Sequence, residues 1–158
     1  MQLRKELRKR IKERLLGKTS AGEKINVNPL HFDEQFPFIE ILTPFDESEL
    51  ISNSIRATGH TLTVQIEAVV QADKNEIYNH LDDLAEEIES LIELDETFGR
   101  LTGSLVLSRT ESEAVHEAER SLGFIRLTYE ANYVKQKTPK ADPNLPQFKG
   151  TQIGGMDA

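Results

Sequence analysis

The stretch from Thr61 to Val70 alternates between apolar and polar side chains with the period of a β-strand. Its even-numbered positions are apolar, whereas the odd-numbered positions from Thr61 to Glu67 are polar. Because successive side chains of a strand point to opposite faces of a sheet, this pattern predicts a strand with one buried and one hydrated face. The chain therefore needs a sheet that is covered by other elements on one side.

Two segments have the apolar period of an amphipathic helix. Between residues 2 and 16, apolar residues recur at every fourth position among basic ones, and Gly17 is placed to end the helix. Asp73 and Glu76 have the spacing of a capping box, and a second apolar stripe follows them to about residue 94 on an otherwise acidic helix. We expect both helices to bury their stripes against one sheet face.

The remaining segments predict four further strands and two loops. The strands are a short one at 25–27, one opened by Pro37 at 38–42, one at 101–108 in which Gly103 permits a bulge or close approach, and one at 123–134. Polar composition predicts an exposed acidic loop at 44–60 and a loop or short helical turn at 111–120.

This order of elements predicts a single α+β domain. We expect a mixed or antiparallel β-sheet with the two amphipathic helices packed on one face, leaving the other face for water or for another subunit. The domain spans residues 1–134. Residues 135–158 are rich in proline, glycine and lysine, which predicts a flexible C-terminal tail.

Charge is divided unevenly along the chain. The formal net charge is −8, to which residues 1–24 contribute +6, residues 25–134 contribute −16 and residues 135–158 contribute +2. A body this acidic disfavours nucleic-acid binding, which depends on the neutralisation of phosphates. The basic N-terminal segment favours an acidic partner, and another copy of the chain would supply one.

The sequence contains little that predicts chemistry. It has no cysteine, which excludes disulfides and thiol catalysis, and it lacks the phosphate-binding, nucleophile-elbow and H-E-x-x-H motifs. The apolar runs are at most three residues long, so no membrane span is expected, and we expect a soluble intracellular protein or a component of a larger assembly.

A few side chains are candidates for metal binding or acid–base work. His80 lies at helical spacing from Glu76 and Asp83, and His116 lies among glutamates, but no second histidine stands at ligand spacing, which favours hydrated surfaces. The acidic cluster of the second helix is expected to be hydrated rather than catalytic; it comprises Asp82, Asp83, Glu86 and Glu87. We predict no catalytic, cofactor-binding or metal-binding residue, and no enzyme.

Four phenylalanines crowd around the strand at 38–42, namely Phe32, Phe36, Phe38 and Phe45. Burial in the core is the favoured interpretation. If one small core cannot hold them all, the surplus would form a subunit interface, where aromatic residues are favoured.

The succession of elements resembles a known family. The succession begins with the first helix, from Leu3 to Leu16. The strand Phe36-Pro37-Phe38-Ile39-Glu40-Ile41 and an acidic loop follow, and then the long alternating strand at 61–70. A helix rich in Leu, Ile and Glu at 81–89 and the closing strand Leu127-Thr128-Tyr129-Glu130-Ala131-Asn132-Tyr133 complete it. In this order residues 1–134 resemble the tail terminator proteins of long-tailed bacteriophages, the group that includes the lambda minor tail protein U.

The resemblance implies a structural role in the virion tail, with assembly in the host cytoplasm. It implies a homohexameric ring that caps the tail tube, ends its polymerisation and provides the surface that joins the head. The implied partners are other copies of the chain, the tail tube protein and a head completion or connector protein. DNA passes through the ring without specific binding, and no cofactor or membrane is involved.

A ring requires two complementary patches on each subunit. We hypothesise that Arg4, Arg8 and Lys12 of one subunit meet Glu86, Glu87 and Glu89 of a neighbour, because these residues have opposite charge. Two other functions stay open, namely a head–tail completion or neck protein, and a small non-viral binding module.

Overall fold

The computed structural model describes residues 2–27, 35–54, 56–117 and 120–136. Within these ranges the chain forms one α+β domain whose element types follow the predicted order. The elements are α1 (Leu3–Leu15), β1 (Ile25–Asn26), β2 (Phe38–Ser52), β3 (Ala57–Ala72), α2 (Ile77–Ile92), β4 (Val106–Glu117) and β5 (Arg120–Gln136). The predicted flexibility of the tail concerns residues that lie almost entirely outside the described ranges, although β5 extends two residues past the predicted boundary at 134.

The five strands form one mixed sheet with the order β1-β2-β3-β5-β4. The short β1 pairs with β2 in parallel, and all other neighbours are antiparallel. The central strands β3 and β5 pair without interruption from Ala57 opposite Gln136 to Ala72 opposite Ser121. This long ladder forms the centre of the sheet.

The core lies between the sheet and the two helices, as predicted. Leu7, Ile11 and Leu15 of α1 are fully buried, and α2 buries its predicted stripe, with Leu91 half-buried. The sheet contributes the even-numbered residues of β3 from Leu62 and the odd-numbered residues of β5 to Ala131. Each large apolar side chain buried here stabilises the fold by ~1.5–3 kcal/mol, so α1 is an integral part of the core.

The predicted loop at 44–60 is wrong. Strand β2 continues to Ser52, and β3 begins at Ala57, so the segment forms a long hairpin. Pro44 does not end the strand because it lies in a bulge, where Thr43 and Pro44 fall between the Leu42 and Phe45 ladder pairs and no amide hydrogen is required. The polar composition reflects exposure of the hairpin rather than absence of a strand.

The predicted loop or short helical turn at 111–120 is also wrong for the described residues, because residues 111–117 belong to β4 and Arg120 begins β5. Strand β4 lies at the edge of the sheet and carries exposed polar residues such as Glu113. Charged side chains are common on edge strands because they discourage further pairing. The strand predicted from residue 101 begins only at Val106, after a turn.

Two local predictions have opposite outcomes. The capping box is wrong, because Glu76 occupies the N-cap position of α2 and no side chain caps the helix there. The close approach at Gly103 is confirmed, because its amide donates to the Asn132 carbonyl at 2.8 Å and an added Cβ atom would lie 2.5 Å from that oxygen.

Candidate subunit interface

One face of the sheet carries no helix in the part of the chain that the structure describes. Helix α1 packs beside β1 and β2, and α2 packs over β3 and β5, both on the same face. The ladder register aligns the outward side chains of β2, β3, β5 and β4 in rows across the other face, which we call the open face. The order of elements predicted that this face would be in contact with water or with another subunit.

Carboxylates dominate the open face. Its charged side chains include Glu40, Glu47, Glu49, Glu67, Glu111, Glu113 and Glu130, with Arg109, Arg120 and Arg126 as the bases. Arg126 bridges two neighbouring strands, since its Nη2 lies 2.7 Å from Glu67 Oε2 and its Nη1 lies 3.9 Å from Glu111 Oε1. The face keeps a net negative charge, which repels phosphates.

At one end the sheet extends into a three-stranded projection, the arm, made of residues 45–52 of β2, 57–62 of β3 and 131–136 of β5. Four apolar side chains of the arm are more than half exposed, namely Phe45 (63%), Leu50 (56%), Ile51 (57%) and Val134 (65%). Ile51 lies across Gly59, where an added Cβ atom would come within 2.9 Å of Ile51 Cδ1. Phe45, Ile51 and Val134 lie on the open face, whereas Leu50 lies opposite Thr58 on the other side of the arm. Exposed apolar side chains of this kind are typical of an interaction surface.

The phenylalanines are divided between core and surface. Phe38 is buried and its ring centroid lies 5.6 Å from that of Phe36, so the prediction of burial is confirmed for Phe38, although its position opposite Val69 places it on the open face of the sheet. It is wrong for Phe45, because the β2 bulge places this side chain on the open face beside Thr63. Phe32 lies outside the described residues.

A polar cluster holds the base of the arm together on the helical side of the sheet. His60 Nδ1 of β3 lies 2.9 Å from Asp46 Oδ1 of β2, and the Tyr133 hydroxyl of β5 donates to Asp46 Oδ2. The His60 and Tyr133 rings stack with centroids 4.5 Å apart, and Thr58 Oγ1 lies 3.0 Å from His60 Nε2. Three strands are thus joined through one carboxylate.

The protonation equilibria of this cluster follow from the same contacts. Burial opposes ionisation of Asp46, but the hydrogen bonds from Tyr133 and His60, together with the Arg4 charge, outweigh it and hold the pKa of this carboxyl below its usual value. Burial and the hydrogen bond to Asp46 raise the pKa of Tyr133 to about 12. The cluster therefore keeps an ionised carboxylate and a neutral phenol at neutral pH.

The predicted basic interface residues lie along one side of α1. Arg4, Arg8 and Lys12 recur at every fourth residue and so share a helix face. Arg8 Nη1 donates to Thr43 Oγ1 of β2, and the Arg4 charge acts on Asp46. Two of the three residues are therefore partly engaged within the chain.

Three lysines of α1 are available at the surface. Lys5 and Lys9 are exposed and Lys12 is half-buried, and all three line a groove of about 640 Å³ together with Arg8 and Val27, which we call the basic groove. None of these lysines has an ion-pair or hydrogen-bond partner among the residues that the structure describes.

The other side of α1 uses its arginines to hold the loop after α2, which sequence reasoning missed. Arg10 Nη1 donates to the Phe98 carbonyl at 2.8 Å, and Arg14 Nη1 donates to the Asp95 carbonyl at 2.6 Å. The Arg14 guanidinium also lies 3.6 Å from the centroid of the Phe98 ring. Burial, partly offset by the Asp95 charge, lowers the pKa of Arg14 below its usual value. No periodicity distinguishes these two arginines from the exposed lysines.

The predicted acidic interface residues lie on α2 but in three different environments. Glu86 is exposed. Glu87 Oε1 accepts hydrogen bonds from the Ser20 hydroxyl at 2.7 Å and the Ser20 amide at 3.2 Å. Burial, followed by the charges of Glu93 and Glu86, raises the pKa of Glu89. The structure does not bring these residues together with Arg4, Arg8 and Lys12 within one chain, and only Glu86 projects fully into water.

The histidine and carboxylate candidates do not form a metal site in the described part of the chain, where no group of three potential ligands comes together. His80 is exposed on α2, and His116 Nδ1 contacts the Ser121 hydroxyl across the β4–β5 ladder. Asp82 and Asp83 are exposed, as expected for a hydrated helix face.

No helix among the described residues is both long and apolar enough to cross a membrane. Comparison of the chain with models of known protein families, and with curated protein sequences, finds no match to either.

Proposed function

We propose that the chain is a structural protein of a phage tail, which assembles as a homohexameric ring on the tail tube, ends tube polymerisation and offers the surface that joins the head. The observation that carries the proposal is the arm, which leaves Phe45, Leu50, Ile51 and Val134 uncovered on a domain whose core is otherwise well packed. Such a surface is stabilised when another subunit buries it.

The distribution of charge supports assembly with copies of the chain. The basic groove and the acidic open face occupy different sides of the domain, so each subunit has two unlike patches. Contacts between unlike patches are heterologous, and they close into a ring when the rotation between subunits permits. The element order on which the resemblance to tail terminators rests also supports this role.

The net negative charge of the open face supports passive passage of DNA. Protein–DNA affinity depends on basic residues that displace phosphate counterions, and a carboxylate-rich surface opposes this. In the proposed role the ring forms no bond to DNA, uses no cofactor and catalyses no reaction.

Electron microscopy of tail tubes tests the proposal. Tubes polymerised from the tail tube protein of the same virus are incubated with the purified chain, in the absence of heads. We expect ring-shaped caps at tube ends and an arrest of elongation, whereas a heat-denatured sample should do neither. Unchanged tube growth and bare ends would refute the proposal, and binding to filled heads instead of tubes would indicate a neck protein.

A further inference from the structure

The open side of the arm carries an acidic groove with an apolar floor. Glu47, Glu49, Ile51 and Val134 line this groove, which has a volume of about 550 Å³ and which we call the acidic groove. Neither Glu47 nor Glu49 has an ion-pair or hydrogen-bond partner among the described residues. The arm therefore combines uncompensated negative charge with uncovered apolar surface.

The spacing of these carboxylates matches the spacing of the free lysines of α1. Glu47 and Glu49 are two residues apart on one face of a strand, a separation of about 6.6 Å. Lys5 and Lys9 are four residues apart on one face of a helix, a separation of about 6 Å along its axis. A helix laid along the strand could therefore form both ion pairs at once.

We infer that the arm of one subunit docks on the basic groove of a second copy of this chain, with Glu47 and Glu49 facing Lys5 and Lys9. Ile51 then covers Val27 and the aliphatic parts of the lysines. This inference rests on the proposed function, because it assigns the contact through which the subunits of the ring associate.

The arm is a better acidic partner than α2, on which Glu87 already accepts two hydrogen bonds from Ser20 and Glu89 is partly buried. Glu47 and Glu49 are exposed, and apolar side chains accompany them. This matters because exposed ion pairs contribute little, so that apolar burial has to supply most of the stability of the contact. The arm and the basic groove are different surfaces, so the contact is heterologous.

Reciprocal charge reversal tests the pairing. One variant carries Glu47→Lys and Glu49→Lys, and the other carries Lys5→Glu and Lys9→Glu. We expect each variant alone to associate more weakly than the wild type, with an apparent Kd raised roughly tenfold or more at low salt. We expect an equimolar mixture to regain the wild-type assembly, because each altered surface then meets its complement. Analytical ultracentrifugation measures the species, and circular dichroism checks that each variant is folded.

The matched control carries Asp82→Lys and Glu86→Lys, which changes the charge of exposed residues on α2 by the same amount. We expect this control to assemble as the wild type does, and the wild-type association to weaken with added salt. Loss of assembly in the control but not in the arm variant would overturn the inference. So would unaltered assembly of both reversed variants, failure of the mixture to regain assembly, or a wild type that stays monomeric at the highest attainable concentration.

The same variants separate this inference from the proposed function. If the variants associate in the predicted pattern but the wild-type chain does not bind tail tubes, the docking surface is supported and the tail role is rejected. An arm variant that caps tubes as well as the wild type would reject the docking surface and retain the tail role.

Discussion

Tyr129 and Tyr133 lie four residues apart on β5, and their hydroxyl groups differ in whether they have a hydrogen-bond partner. The Tyr129 hydroxyl is buried and has no hydrogen-bond partner among the described residues, whereas the Tyr133 hydroxyl donates to Asp46. An unsatisfied buried polar group costs ~1–3 kcal/mol, and a hydrogen bond to a charged group contributes about as much in the opposite direction. The two phenols therefore affect the stability of the domain with opposite sign.

Removal of each hydroxyl tests this difference. We expect Tyr129→Phe to raise the free energy of unfolding by about 1 kcal/mol, because the substitution deletes a group that lost its water without gaining a partner. We expect Tyr133→Phe to lower it by ~1–2 kcal/mol, because Asp46 loses a donor. Urea denaturation of both variants measures the changes, and each variant is the control for the other. Equal effects of the same sign would contradict this account.

At the residue scale, the sequence predicted the charge of the site but not the partners of its members. It identified the basic side of α1 and the acidic side of α2 from composition and period. It could not show that Arg10 and Arg14 donate hydrogen bonds to carbonyls of the loop after α2, nor that Ser20 donates one to Glu87. These contacts join residues more than 60 positions apart. The hydrogen bond between Asp46 and Tyr133 joins residues 87 positions apart, and no local sequence pattern predicts it.

At the scale of elements, the arm depends on a single ionised carboxylate that joins β2, β3 and β5. Because the folded-state pKa of Asp46 lies below its unfolded value, its contribution to stability is complete above the unfolded pKa, which is about 3.9 for an aspartate. The contribution is lost as the pH falls through the folded pKa. Acid should therefore loosen the base of the arm.

We expect Asp46→Asn to lower the free energy of unfolding at pH 7 by ~1–2 kcal/mol, since the amide lacks the charge that strengthens both hydrogen bonds. The difference from the wild type should shrink as the pH falls below about 4, where the wild-type carboxyl also becomes neutral. Denaturant titrations across this pH range measure it, with Glu113→Gln on the exposed edge strand as the control. A difference that is independent of pH would disprove the role of the charge.

The elements themselves were predictable wherever burial is one-sided. Both helices and the central strands have apolar side chains at the period of their structure, because a core covers one face of each. Residues 44–60 and the part of β4 at 111–117 were missed because most of their side chains are exposed or only half-buried, so the apolar period that identifies a strand is absent there. These segments are strands because they pair with β3 and β5, and amino-acid composition does not predict which segments will pair.

At the scale of the whole molecule, the described residues form a well-packed core between the sheet and the two helices. A chain that ends after Gln136 retains every residue of this described core, and we expect it to fold as the full-length chain does, within about 0.5 kcal/mol. Ile11→Ala serves as the control, because it removes a fully buried side chain and should cost ~2–5 kcal/mol. Thermal and urea denaturation compare the three proteins. A large loss of stability in the shortened chain would show that residues 137–158 pack on the domain.

The uninterrupted ladder between β3 and β5 also has a mechanical consequence. Its sixteen consecutive residue pairs run from the end of the arm to the far end of the sheet, beneath α2. A force that pulls β3 and β5 in opposite directions along their length loads these hydrogen bonds in shear, so that they share the force and must yield together. A force that separates the two strands sideways would instead break the hydrogen bonds one after another. The ladder therefore resists sliding of the two strands better than it resists their separation.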